Sequence, residues 1–416
     1  MSVEKKEPEI RFKRFSGEWK QHNLGELIDI RSAARVHKEQ WTEAGVPFFR
    51  TSDVVSIYKG QENAKAFISY DVYKELTGKI GKVSSGDLLV TGGGSIGIPF
   101  LVPNDNPLYF KDADLLWFKN DQKFDGYFLY TFLFSETFKK YIKSISHIGT
   151  IAHYTIEQAK STPINNCERA EQTAIGNTFQ KLDSLINQHQ QKHAKLSNIK
   201  KAMLEKMFPK QGETIPEIRF KGFSGEWEEK KLGEIGETFT GLAGKTKHDF
   251  GHGQARFVTY MNVFANAISN ESLVEPVEID ESQNEVVKGD VFFTTSSETP
   301  EEVGMSSIWM GEAKNVYLNS FCFGYRPKQK IDSVYLAYML RASSFRKQVI
   351  FLAQGVSRYN ISKTKVMDIK TYMPSLLEQE KIGSYFQKLD ALINQHQQQI
   401  TKLNNIKQAC LSKMFV

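Results

Sequence analysis

The chain has 416 residues, 40% hydrophobic and 25% charged, which is ordinary globular material with room for about two to four domains. No run approaches the ~20 apolar residues of a membrane span, and Met1-Ser2-Val3-Glu4-Lys5-Lys6 leads into no apolar region, so neither a membrane segment nor a secretory leader is expected. Cys167, Cys322 and Cys410 are odd in number and far apart, which excludes a disulfide frame and a cysteine zinc site, while an excess of six positive charges permits a polyanionic partner without requiring one.

The chain opens on Pro8-Glu9-Ile10-Arg11-Phe12-Lys13-Arg14-Phe15-Ser16-Gly17-Glu18-Trp19, with Leu24-Gly25-Glu26-Leu27 after it. A body over residues 21–166 follows. In it Gly86-Asp87 and then Leu88-Leu89-Val90-Thr91 read as a turn and a buried strand, and Leu115-Leu116-Trp117-Phe118-Lys119 as a second strand. Asp125 reads as the N-cap of one amphipathic helix carrying Leu129, Leu133, Phe138 and Ile142. Next comes a long helix whose Ile175, Phe179, Leu182, Ile186, Leu196, Met203 and Met207 form a heptad seam. Pro209 and Gly212 close it.

All of this then happens again. The opening returns at Pro216-Glu217-Ile218-Arg219-Phe220-Lys221-Gly222-Phe223-Ser224-Gly225-Glu226-Trp227, with Leu232-Gly233-Glu234-Ile235 behind it. A second body over residues 228–375 keeps the frame: Gly289-Asp290 before Val291-Phe292-Phe293-Thr294, then Cys322-Phe323-Gly324-Tyr325-Arg326, then Asp332 with Leu336, Leu340, Phe345 and Val349. Residues 179–191 recur at 386–398 with one change, Ser184 becoming Ala391, and the seam returns as Ile382, Phe386, Leu389, Ile393, Ile400, Leu403, Cys410 and Met414. One helix cannot bury such a stripe alone, so each copy is expected to partner the other. The fold class expected is α+β, with mixed α/β bodies of irregular strands and long loops.

Three stretches imitate enzyme signatures. Gly92-Gly93-Gly94-Ser95-Ile96-Gly97 follows a strand, but Pro99 and Pro103 forbid the helix a dinucleotide site needs next. Gly241-Leu242-Ala243-Gly244-Lys245-Thr246 ends like a P-loop and has Phe239 where the first glycine belongs. Asn106-Pro107-Leu108-Tyr109 approaches the Asn-Pro-Pro-Tyr of adenine methyltransferases, without the second proline. His189, His193 and His396 fall on the seams with no carboxylate or third ligand beside them, and read as polar register positions rather than a metal site.

The doubled Phe-Ser-Gly-Glu-Trp with its Leu-Gly-Glu, the prolines at Pro163 and Pro374 before each helix, Glu171-Gln172 and Glu378-Gln379 at the helix starts, and the doubled Gln-Lys-Leu-Asp-x-Leu-Ile core together resemble the specificity (S) subunit of bacterial type I restriction–modification systems, over nearly the whole chain. The resemblance implies two mixed α/β target-recognition domains, residues 1–166 and 209–375, separated by two long antiparallel paired helices, residues 167–208 and 376–416, in an internal pseudo-two-fold repeat. Each domain would read half of a bipartite double-stranded DNA site in the cytoplasm, with the helices setting the gap and docking two modification subunits. S-adenosylmethionine, ATP and Mg would belong to those and to the restriction subunits. This chain would hold no cofactor or metal and catalyse nothing. A stand-alone adenine methyltransferase and a coiled-coil scaffold without DNA specificity are the alternatives.

Candidate DNA-contacting residues are polar or basic residues at matching places in the two bodies. In the first they are Arg50 and Ser52, Gly93 and Ser95, and His147, Thr150, His153 and Tyr154. In the second they are Tyr260 and Asn262, Thr295 and Ser296, and Ser357, Arg358, Tyr359 and Asn360. Arg358 and Asn360 have the geometry for bidentate contacts to base edges. Lys139, Lys140, Lys143, Arg346 and Lys347 read as solvated helix faces or phosphate contacts. The helix-pair interface is assigned to Phe179, Leu182, Ile186, Leu196, Phe386, Leu389, Ile393 and Leu403.

Overall fold

A computed structural model of the chain describes residues 7–145 and 153–416. Two compact units emerge, residues 1–190 with 398–416, and residues 191–397. The division falls inside two 38-residue helices, Arg169–Lys206 and Leu376–Lys413, each about 57 Å long at 1.5 Å per residue. Each helix therefore starts in one unit and ends in the other.

In the first unit the opening strand Lys20–Asn23 pairs with Pro163–Asn166, the strand just before the long helix. An antiparallel sheet runs in the order Asp29–Ser32, Leu115–Lys119, Leu88–Thr91, Pro99–Leu101. All four residues of Leu88–Thr91 are buried, so both faces of this strand are covered, which is why it reads as an unbroken apolar run. A second sheet joins Trp41–Thr42, Phe67–Ile68, Val46–Phe49 and Tyr109–Phe110, the last pair parallel. The second unit repeats the plan. Glu228–Lys231 pairs with Lys370–Met373, one sheet orders Gly236–Thr240, Cys322–Pro327, Val291–Thr294 and Ser306–Ile308, and another orders Val274–Val277, Phe250–Val258 and Val316–Leu318.

The doubled Gly-Asp has a local cause. Gly86 and Gly289 turn with φ of +87° and +93°, which costs glycine nothing. The turn delivers a buried carboxylate: Asp87 accepts from the Trp117 indole N–H at 2.9 Å and from the Ser84 and Asn120 amides. Asp290 accepts from the Val287 amide and from both arms of Arg326 at 2.7–2.8 Å.

The single helix expected after Asp125 is two, Gly126–Phe132 and Glu136–Ile145, and its twin divides likewise into Ser333–Met339 and Ser343–Leu352. The apolar spacing explains the break, since Leu133 to Phe138 and Leu340 to Phe345 are steps of five, which leave one helical face. Asp125 and Asp332 do cap the first helix of each pair, accepting from Phe128 and Tyr335 amides.

The residues that repeat in the sequence are those that weld a body to a long helix. In the first unit Arg11 grips buried Glu171 through Nε and Nη2 at 2.7 and 2.8 Å, and Gln172 accepts from the Asp125 amide at 3.0 Å. Arg219 grips Glu378 at 2.7 and 2.8 Å in the second, and Gln379 accepts from the Asp332 amide at 3.0 Å. Further along, the Tyr127 hydroxyl and the Lys407 ammonium meet on Asp183; Tyr338 and Lys200 meet on Asp390. Within each unit the two helices thus run antiparallel. Phe415 packs on Trp19, Phe128, Phe132 and Phe179, and Phe208 on Trp227, Tyr335 and Phe386.

Of the seam residues, Phe179, Ile186, Phe386 and Leu389 are buried, while Leu182, Leu196, Ile393 and Leu403 are half-buried. The stripes serve the bodies as much as each other: Phe179 and Leu182 share a core with Phe128 and Leu129, and Phe386 and Leu389 one with Tyr335 and Leu336.

Candidate nucleic-acid interface

The strand registers align the two bodies residue by residue. Thr91 faces Leu115 and Thr294 faces Cys322, so Asp114 corresponds to Phe321 and Gly92 to Thr295. The next bonds agree: the Gly92 amide donates to the Asp114 carbonyl at 2.8 Å, the Thr295 amide to the Phe321 carbonyl at 3.0 Å. Gly93 bridges His153, as Ser296 pairs with Asn360. The Tyr154 amide donates to Gly92 at 2.8 Å and the Ile361 amide to Thr295 at 3.1 Å. Two helix starts join in, Thr51 Oγ1 donating to the Asp114 carbonyl at 3.2 Å and the Tyr260 hydroxyl to the Ser296 carbonyl at 2.8 Å. Each body therefore gathers three separate candidate segments at one corresponding place.

In the second body, Ser296–Ser297 and Tyr359–Asn360 form a short antiparallel pair. The chain reverses between Gln354 and Asn360, whose amides and carbonyls exchange two bonds of 2.9–3.0 Å. Gly355, at φ +149°, makes the turn possible, because a Cβ there would lie 2.0 Å from the Arg358 carbonyl. Ser357, Arg358 and Asn360 are exposed, and Tyr359, Tyr260, Thr295 and Ser296 are half-buried. Burial pushes the Tyr260 phenol up, with Thr294 and Arg358 acting the other way.

Two half-buried arginines tie down the backbone next to this region. Arg346 donates to the carbonyls of Glu301, Val303 and Gly304 at 2.6–2.9 Å, and Arg341 to those of Val263, Phe264, Asn266 and Ser306 at 2.7–3.0 Å. Burial lowers both guanidinium pKa values to about 10. Arg346 is half-buried with its donors already on backbone carbonyls, which favours a supporting role over the solvated face or phosphate contact expected for it. Lys139 pairs with Glu136 at 2.8 Å and stays half-exposed.

Other candidates fare differently. Tyr154 is buried with its hydroxyl 2.6 Å from that of Thr162, and Asn262 is buried with its amide on the Asn270 and Leu273 carbonyls. Neither reaches a surface, so both are corrected to supporting roles; in each case an apolar or helical neighbourhood pulls a polar residue inward. Arg50 forks onto Asp53 at 2.8 and 3.0 Å and also reaches the Ala64 carbonyl, so its guanidinium is already engaged. Ser52, Ser95 and His153 are exposed, while Gly93 is buried and contributes backbone. His147 and Thr150 lie outside the described residues. Asp114, Phe321 and Arg341 are site residues that sequence reasoning misses. The first two precede a recognisable strand in both bodies, which is a usable signal; nothing marks the inward arginines.

The imitation motifs are accounted for. Residues 92–97 form a turn, Lys245 pairs with Asp280 at 2.7 Å, and the Tyr109 ring is buried with its hydroxyl 3.1 Å from the Ala34 carbonyl. Among the described residues no cluster of three or more His, Cys, Asp or Glu suits a metal ion, and no helix is long and apolar enough to cross a membrane.

Comparison with known proteins places this geometry. The type I restriction–modification DNA specificity domain matches twice, over residues 16–198 and 224–405. A Methanocaldococcus jannaschii protein named as the specificity subunit of type I restriction enzyme MjaX is 27% identical over 46% of this chain and 45% of its own length. A Haemophilus influenzae protein named as a type I specificity subunit is 26% identical over 39% of this chain and 40% of its own. The matched stretch thus spans less than half of these relatives. The crystal structure of the type I S subunit from M. genitalium aligns over 99% of both chains with a TM-score of 0.56 at 17% identity, and a chain from a structure of type I complex assembly over 94% and 96% with 0.53 at 16%, both sharing the fold. With both repeats matched, the chain belongs to the family of type I restriction–modification DNA specificity proteins.

Proposed function

We propose that this chain is the sequence-reading subunit of a type I restriction–modification complex, each body reading one half of a bipartite double-stranded DNA site. The observation that carries the reading is the convergence of three loop segments at corresponding places in two bodies of one frame, with different residues in each. Same scaffold and different loops is how two recognition modules of unlike specificity are built. Lysines and arginines supply sequence-independent attraction to phosphates, and exposed Arg358 and Asn360 supply base-edge contacts in the second half-site. The long helices fix the gap and dock two modification subunits, and restriction subunits join the complex.

The chain itself catalyses nothing and holds neither cofactor nor metal; methyl transfer from S-adenosylmethionine, and the ATP- and Mg-dependent work, belong to those partners in the cytoplasm. The test is methylation mapping of a host that carries this chain with its modification subunits. A two-part asymmetric motif with a constant gap is expected. Methylation by the isolated chain, or a motif unchanged after replacing both loop sets, would sink the proposal.

A further inference from the structure

The corresponding loops differ in more than identity. Three large apolar side chains stand in solvent around the second body's site: Met261 at 62% exposure, Phe321 at 61% and Val356 at 95%. All three are tied to the Ser296–Ser297 pair. Met261 follows Tyr260, whose hydroxyl bonds Ser296; the Phe321 carbonyl accepts from Thr295; Val356 lies in the reversal that returns the chain to Asn360. The first body has Asp114 in place of Phe321 and Ser52 in place of Met261, both polar. Single exposed apolar residues need no explanation. Three around one site beside an exposed arginine, two of them with polar counterparts in the sister body, do.

We infer that the second body reads a thymine through its C5-methyl group, held against Phe321 and Met261 at the rim of the Ser296–Ser297 and Tyr359–Asn360 pair. This rests on the reading of each body as a half-site reader and adds the chemistry of one contact. In the major groove thymine alone among the four bases offers a methyl, and apolar side chains are what recognise it. Arg358 beside it suits a neighbouring guanine or phosphate, so the second half-site would be read by mixed apolar and charged contacts, the first by polar ones.

The experiment uses the complete complex with its modification subunits, on duplexes in which each thymine of the mapped site is replaced in turn by deoxyuridine, which deletes only the methyl. At least one replacement, in one half-site, should weaken binding about fourfold, the worth of one buried methyl. In the Phe321→Ser, Met261→Ser variant that penalty should vanish while the cost of a wrong base pair in the other half-site persists; Phe321→Leu should keep it. If no deoxyuridine matters in that half-site, or the penalty survives the double substitution, the inference is wrong. If Phe321→Ser weakens thymine and deoxyuridine duplexes equally, Phe321 is a wedge or a packing residue, and the inference is equally wrong. A wild-type complex with no sequence preference would instead remove the half-site reading beneath it.

Discussion

Arg346 and Arg358 flank the same loop and have opposite surroundings. Arg346 spends its donors on three backbone carbonyls, and its removal leaves them without partners inside the protein, a cost of about 1.5–3 kcal/mol for bonds to a charged group. Arg346→Ala should therefore lower the melting temperature and blunt recognition of the second half-site as a whole, read by thermal melting alongside binding. Arg358 is exposed, so Arg358→Ala should leave melting unchanged and relax one position of that half-site by about 1–3 kcal/mol. Binding to every single-base variant of both half-sites checks this; a uniform loss on all duplexes would make Arg358 a phosphate contact. In the sequence the two arginines look alike, because the direction of a side chain depends on what the neighbouring loop leaves unsatisfied. The same limit applies to Tyr154 and Asn262, polar residues in plausible loops whose partners lie inside.

At the scale of elements, what repeats in the sequence proves to be joinery. Arg11 with Glu171, Arg219 with Glu378, and the tyrosine–aspartate–lysine meetings on Asp183 and Asp390 lock each body to its helices. Removing one partner of a buried ion pair costs about 3–5 kcal/mol, because the other charge stays behind. Arg219→Met should accordingly destabilise the second unit by about that amount, while Arg219→Met with Glu378→Gln recovers much of it; denaturant titration of both variants decides. Because these residues come in pairs at a nearly constant spacing, the strands, the long helices and the family resemblance are all legible in the order of amino acids alone. The split of the body helix is visible there only as a five-residue step between leucine and phenylalanine. The site is legible as three separate loops, but their meeting depends on strand register and long-range bonds, which composition and spacing do not encode.

On the scale of the whole chain, the two long helices are continuous from one unit to the other, so length added to both should alter spacing, with about 40° of rotation for four residues, and leave each body intact. Four residues inserted after Gln190 and four after Gln397 add about 6 Å to each helix. The half-site sequences should persist in methylation mapping, with the gap longer by about two base pairs; altered half-sites with an unaltered gap would contradict the division of labour. Burial also raises several phenols, Tyr109 and Tyr130 to about 12. Their unfolded value is near 10. The stability they contribute is complete below about pH 10 and drains away as pH rises through 12, so unfolding followed by absorbance should set in within that window. The position of Phe415 bears on synthesis. The second unit is one contiguous stretch, residues 191–397, whereas the core around Trp19, Phe128 and Phe179 also needs Phe415, which is made after all of it. On the ribosome the half translated first would be the half finished second, held open as a nascent chain while its successor closes. Protease should cut the first body in released chains that stop at residue 397 and spare it in chains that include residues 398–416.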